Sequence, residues 1–271
     1  MNFPILSRQS LCSRTLGIRD TTSNMNINKE RLKDVYYDGV PNARRINPIY
    51  RSIFEFLYIA HKVAKPDSKV LNIYASQDFS GKREEIYRTH FFNHADYYGV
   101  DFWHDKFIPE GKIEKDVEDQ KRYVMPYEDN TFDVVLTTKV IMEHVSEPRE
   151  VVKELHRVLK PGGEIFIVAP LVRRQHQIPH DYFRFTEFGI RYLLEKEGFS
   201  IIDIAASNGF MATAVSYAYF FERGLNIPKP IEKIFDFIHK WVVEPIGYGL
   251  DRLDNGYGRD FTRYFLVRAR K

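Results

Sequence analysis

The chain has 271 residues, of which 44% are hydrophobic and 28% charged, with a net charge of +3. This suits one soluble α/β domain with additions and a sizeable core, and it lacks the basic bias of a dedicated nucleic-acid binder. A single cysteine, Cys12, rules out an internal disulfide framework or a cysteine-built metal site and points to a reducing, cytoplasmic compartment; no apolar run approaches the ~18 residues of a membrane-spanning helix.

Residues 1–45 are polar and aperiodic. Arg8, Arg14 and Arg19, with no acid before Asp20, faintly resemble a transit peptide, but Pro4 and the missing amphipathic period favour a poorly ordered tail. The domain is expected over 46–271. From Pro48 to Val63 the apolar residues Ile49, Ile53, Phe54, Phe56, Leu57, Ile59 and Ala60 recur at helical spacing. Lys65-Pro66-Asp67 breaks that helix before a short apolar run, Lys69 to Tyr74, which reads as a buried strand. A polar helical stretch from Gly81 to Phe92 leads to a second strand, Tyr97 to Asp101, ending on an acid. A weaker third strand is expected near Ile113 to Val117, and a fourth over Phe132 to Thr138.

The helix Pro148 to Leu159 is marked by Val151, Val152, Leu155, Val158 and Leu159 on one face. Lys160-Pro161-Gly162-Gly163 stops it. A fifth strand, Glu164 to Ala169, ends at Pro170. A helix from Thr186 to Glu197 follows, with Thr186 as its N-cap, then strands over Ser200 to Ala205 and Thr262 to Ala269. Between the last two strands, about 207–259, Ile231, Ile234, Phe235, Ile238, Trp241 and Val242 mark a helical insertion. The helix from Pro230 could cap the active site, lie on a membrane surface or form a homodimer contact. Strands alternating with helices predict a doubly wound, mostly parallel seven-stranded α/β sheet with helices on both faces and a helical insertion before the last strand.

Three segments in order carry a family resemblance. Met125-Pro126-Tyr127-Glu128-Asp129-Asn130-Thr131-Phe132-Asp133-Val134-Val135 is similar to the stretch before and through strand four of class I S-adenosylmethionine-dependent methyltransferases. Glu143-His144-Val145 resembles the motif that follows that strand. Glu154-Leu155-His156-Arg157-Val158-Leu159-Lys160-Pro161-Gly162-Gly163 resembles the family's helix end. Together they look like the type 11 branch. The resemblance implies S-adenosylmethionine as cofactor and methyl transfer to a small molecule or glycan precursor. Pro179-His180-Asp181-Tyr182-Phe183-Arg184-Phe185-Thr186 is similar to a segment of methyltransferase-like proteins of surface-polysaccharide synthesis. The alternative is a methyltransferase-like scaffold that binds no cofactor.

That alternative stems from the loop after strand one. The family pattern there is an acid, an apolar residue and Gly-x-Gly; the aligned residues are Asn72, Ile73, Tyr74, Ala75 and Ser76. Asn72 cannot offer a full charge to the cofactor's ammonium, and Tyr74 could fill the methionine space. Either the loop is shifted and binding altered, or binding is lost. Asp101, ending strand two, is placed to grip both ribose hydroxyls, or is an exposed strand-end acid. Phe102 or Trp103 could stack on adenine, or belong to the core. Asp116, with Asp119 as competitor, aligns with the adenine-contacting position, and Met125 with the loop that packs on adenine or with plain core.

For the chemistry, the resemblance places His144 just after strand four, near the sulfonium, as base, substrate contact or structural histidine. His180, Asp181 and Arg184 face the acceptor side. Arg184 could hold an anionic group with two parallel bonds, or pair with Asp181 to tie the loop. Arg173, Arg174 and His176 add charge nearby. No metal site is expected: His176 and His180 stand i, i+4, but Pro179 between them argues against a shared helical face.

Overall fold

The computed structural model describes residues 48–73, 87–103, 105–109, 112, 118–138 and 142–271. The first helix, α1 (Pro48–Val63), precedes strand β1 (Lys69–Ile73). After one π-type turn, Tyr87–Phe91, come β2 (Asp96–Trp103), β3 (Lys106–Pro109) and β4 (Phe132–Thr137). Helix α2 (Pro148–Val158), β5 (Leu159–Pro170), α3 (Glu187–Lys196) and β6 (Ser200–Ala206) follow. The insertion holds α4 (Phe210–Gly224), α5 (Lys229–Ile238) and α6 (Glu244–Asp251), and β7 (Tyr264–Arg270) closes the sheet.

These strands form one seven-stranded sheet in the order β3-β2-β1-β4-β5-β7-β6. β1 pairs in parallel with both β2 and β4, and β4 with β5. β7 runs antiparallel between β5 and β6, and β3 antiparallel to β2. The order reverses between β1 and β4, which creates a crevice beyond their carboxyl ends.

Side chains on successive strand positions face opposite sides of a sheet, and the sequence supplies apolar groups at nearly every position. Leu71, Val135, Ile165, Ile167 and Val267 meet Val151, Val152 and Leu155 of α2 and Ile190 and Leu194 of α3. On the other face Val70, Val134, Leu136, Phe166 and Leu266 meet Phe56, Leu57 and Ala60 of α1. Phe56 and Phe166 pack edge to face at 5.2 Å. Each such buried aromatic contributes about 1.5–3 kcal/mol through burial alone.

Beside β2 lies a strand that the sequence did not announce. Residues 113–117, expected to form the third strand, lie outside the described residues; the strand beside β2 is Lys106–Pro109. Trp103 pairs with Lys106, leaving a two-residue connection, which can join only antiparallel strands. Asp105 in that connection takes a φ of 62°. The expected helix stop is displaced: α2 ends at Val158 with Leu159 already extended, and Lys160 to Gly163 lie within β5. Gly162 has a φ of 80°, and a Cβ on Gly163 would stand 2.9 Å from the Lys160 carbonyl oxygen and 3.0 Å from that of Asp133. β5 therefore begins at Leu159 and runs through these residues. Thr186 caps α3, its hydroxyl accepting the Gly189 N–H at 3.0 Å. The expected helical stretch from Gly81 is described only from Tyr87, where it is a single π-type turn.

The insertion is helical, as expected. Its α4 is anchored at the N-terminus by Asp251 of α6, which accepts the Gly209 N–H at 3.0 Å and the Ala212 N–H at 2.8 Å. α5 has no buried residue, and Ile231, Ile234, Phe237 and Ile238 are exposed. No helix among the described residues is long and apolar enough to cross a membrane.

Candidate functional site

The loops that leave β4 and β5 meet at the carboxyl edge of the sheet. Backbone pairing joins them: the Tyr182 and Phe183 N–H groups donate to the Glu143 carbonyl at 2.7 and 3.3 Å. Farther along the second loop, the Phe185 N–H donates to the Pro170 carbonyl at 2.7 Å. Asp105 ties the β2–β3 connection to the same place, accepting from the Ser146 hydroxyl at 3.0 Å.

Within this junction Glu143, His144 and His176 converge. The Nε2 atoms of His144 and His176 lie 3.1 Å apart. Glu143 Oε1 stands 3.5 Å from His144 Nε2 and 3.6 Å from His176 Nε2. Glu143 is fully buried, and neither carboxyl oxygen takes part in a hydrogen bond. Arg173 Nη1 is 3.5 Å from Oε1. Burial pushes the Glu143 carboxyl up to about 7, with His144 and Arg173 pulling the other way. Burial lowers both imidazoles. Glu143 opposes that shift at His144, whereas Arg173 reinforces it at His176.

The rings are oriented from behind. His144 Nδ1 lies 2.6 Å from the His180 carbonyl oxygen, so it carries the donated hydrogen. His176 Nδ1 is 3.3 Å from Asp181 Oδ2 and 3.3 Å from the Arg174 carbonyl oxygen. Asp181 also accepts the His176 backbone N–H at 2.8 Å.

Arg184 is bonded within the loop. It donates to both Asp181 oxygens at 2.6 and 2.8 Å and to the carbonyls of Arg173 and Arg174, each at 3.1 Å. The guanidinium holds the Asp181 carboxyl well below the usual carboxylate range. The loop-tying alternative is the one this geometry displays. His180 contributes its carbonyl to His144, while its own ring faces the Tyr182 hydroxyl at 3.1 Å.

On the cofactor side the description is partial. Tyr74, Ala75, Ser76 and Asp116 lie outside the described residues. Asn72 is fully buried on β1, between Gly99 and Leu136. Ile73 pairs with Val100, so half-buried Asp101 stands one residue beyond the end of β1, at the crevice edge. Phe102 is core: it is buried against Phe107, with ring centres 5.0 Å apart. Met125 is buried too, and its backbone N–H donates to Glu154 at 2.6 Å. Arg157, bonded to the same Glu154 at 2.6 Å, also holds the Tyr127 carbonyl at 2.8 Å. The Glu-x-x-Arg of the helix end thus clamps the loop that enters β4.

Sequence reasoning singled out His144 but missed Glu143 and the meeting with His176. The signal was present in the topology: β4 and β5 are neighbours, so loops leaving their carboxyl ends share one edge.

Residues 82–167, running through β4 and α2 into β5, match the family described as the methyltransferase domain. Over this stretch, about a third of the chain, the protein is similar to that family. A demethylmenaquinone methyltransferase of Staphylococcus epidermidis is 33% identical over 107 residues, covering 38% of this chain and 44% of that protein. The norajmaline N-methyltransferase of Rauvolfia serpentina is 42% identical over 60 residues, 22% of this chain and 20% of that protein. The chain therefore spans less than half the length of these curated relatives. Among solved structures, 1,6-didemethyltoxoflavin-N1-methyltransferase of Burkholderia thailandensis is similar at 14% identity and a TM-score of 0.47, covering 90% of this chain and 86% of that one.

Proposed function

We propose that this methyltransferase domain moves the methyl group of S-adenosylmethionine to a small-molecule acceptor. The observation that carries the reading is the position of the polar junction. Glu143, His144 and His176 lie in the loops after β4 and β5, at the same sheet edge as Asp101 and next to the reversal of strand order. Ligands of such sheets sit in that crevice. Asp101 would accept the ribose hydroxyls, with Asn72 and the segment Tyr74 to Ser76 lining the methionine end. The acceptor would sit on the junction side, near His144 and His180. Methyl transfer is an in-line displacement, so positioning carries most of it, with proton removal added for a hydroxyl acceptor. The names of the curated relatives point to ring systems such as quinones and alkaloids, whereas the resemblance of Pro179 to Thr186 favours a glycan precursor.

Calorimetric titration with S-adenosylmethionine tests the reading, with Asp101→Ala as the comparison. Binding that this substitution weakens by about 10- to 100-fold, as the loss of charged hydrogen bonds predicts, supports it. No heat at millimolar ligand would overturn it and leave a scaffold on this fold. Transfer of radiolabelled methyl to quinols or to sugar nucleotides then identifies the acceptor class.

A further inference from the structure

We propose that Glu143, His144 and His176 form a binding site for one divalent transition-metal ion of the zinc class. The three donor atoms lie 3.1, 3.5 and 3.6 Å from one another. A point equidistant from them is about 2.0 Å from each, which matches ordinary zinc–nitrogen and zinc–oxygen bond lengths.

The hydrogen bonding behind the rings points the same way. His144 Nδ1 faces only the His180 carbonyl, and His176 Nδ1 faces the Asp181 carboxylate and the Arg174 carbonyl. All of these are acceptors, so each neutral ring holds its hydrogen on Nδ1 and presents a lone pair on Nε2. The two lone pairs then face each other at 3.1 Å, beside a buried carboxylate whose oxygens receive no hydrogen bond. With Glu143 ionised, three electron-pair donors converge there, an arrangement that a cation satisfies. Arg173 compensates part of the Glu143 charge at 3.5 Å without completing a hydrogen bond.

The donor set selects the metal. Two imidazoles and one carboxylate suit a borderline ion such as Zn²⁺ or Fe²⁺, whereas Ca²⁺ and Mg²⁺ favour oxygen alone. Nδ1 hydrogen bonds to backbone carbonyls, as at both rings, are usual orienting contacts behind metal-bound histidines. Three protein ligands leave a position open for an oxygen of a bound molecule. In the methyl-transfer reading, that oxygen belongs to an acceptor hydroxyl, whose acidity the ion would raise. The site itself does not depend on that reading.

The test uses the full chain, purified without a histidine tag and stripped with a chelator. Calorimetry with Zn²⁺ should give one ion per chain with submicromolar affinity. His176→Gln and Glu143→Gln should each weaken it by at least about 100-fold, with circular dichroism unchanged, while the distant His156→Gln leaves it unaltered. No binding tighter than millimolar, or equal affinity in wild type and His176→Gln, would overturn the site. Should a variant fail to fold, Co²⁺ in the wild-type protein decides. Intense visible bands of a four- or five-coordinate nitrogen–oxygen site support it, and a weak six-coordinate spectrum refutes it. Failure of S-adenosylmethionine to bind would leave this result untouched, so the two readings fall separately.

Discussion

His156 shows how one side chain couples stability to pH. It sits in α2 beneath the turn into β6, with Nε2 3.3 Å from where a Cβ on Gly198 would stand and its ring edge-on to Phe199 at 5.1 Å. Burial lowers its pKa, and the Lys271 ammonium lowers it further. The folded protein therefore holds fewer protons on this ring than the unfolded chain. Its stabilising contribution is present above the unfolded value of about 6.5 and is lost as pH falls below it toward the lower folded value. Chemical denaturation at pH 7.5 and pH 5 should show wild type losing more stability than His156→Gln; equal losses would contradict the assignment. Chemistry at this scale was partly legible. His144 was found because its motif follows a strand. Glu143 was passed over because its importance lies in having no hydrogen-bond partner, a property only the folded neighbourhood defines. Phe102 could be assigned to core only once Phe107 was known to fold back beside it.

At the scale of elements, helix formation and helix anchoring have separate causes. α2 was readable because its apolar residues keep helical spacing, although it ends at Val158, before the glycines expected to stop it. α4 owes its start to a distant carboxylate: Gly209 has no capping side chain, and Asp251 takes the N–H groups of Gly209 and Ala212 instead. Replacing Asp251 by Ala leaves two orphan donors and a negative charge missing from a helix N-terminus, a loss of about 1–2 kcal/mol. Urea unfolding should show that shift in midpoint; an unchanged midpoint would assign the anchoring elsewhere. β3 was not foreseen for a related reason, while the strand expected near Ile113 to Val117 lies outside the described residues. The short run Lys106–Pro109 has little strand signature of its own and is recruited by the tight connection from β2.

The whole molecule follows from the alternation of strand and helix, which the sequence displays clearly enough to give seven strands and two covered faces. The reversed orientation of β7 and its position between β5 and β6 were not readable from any single segment. They are long-range pairings whose register appears only in the sheet. Removing 264–271 should abolish cooperative unfolding, because it takes away the partner of β6 and one neighbour of β5 at once. A cooperative melt in that truncated chain would show that the sheet closes without it.

The central position of β7 also bears on synthesis. Ala206 pairs with Phe265, 59 residues later in the chain. At ribosomal speeds of roughly 5–20 residues per second, β6 waits some seconds for β7, its neighbour among the described strands. During that interval the nascent protein presents an open edge on β5 and a strand with nowhere to dock. Its dependence on chaperones should therefore be greatest until residues 264–270 have been made.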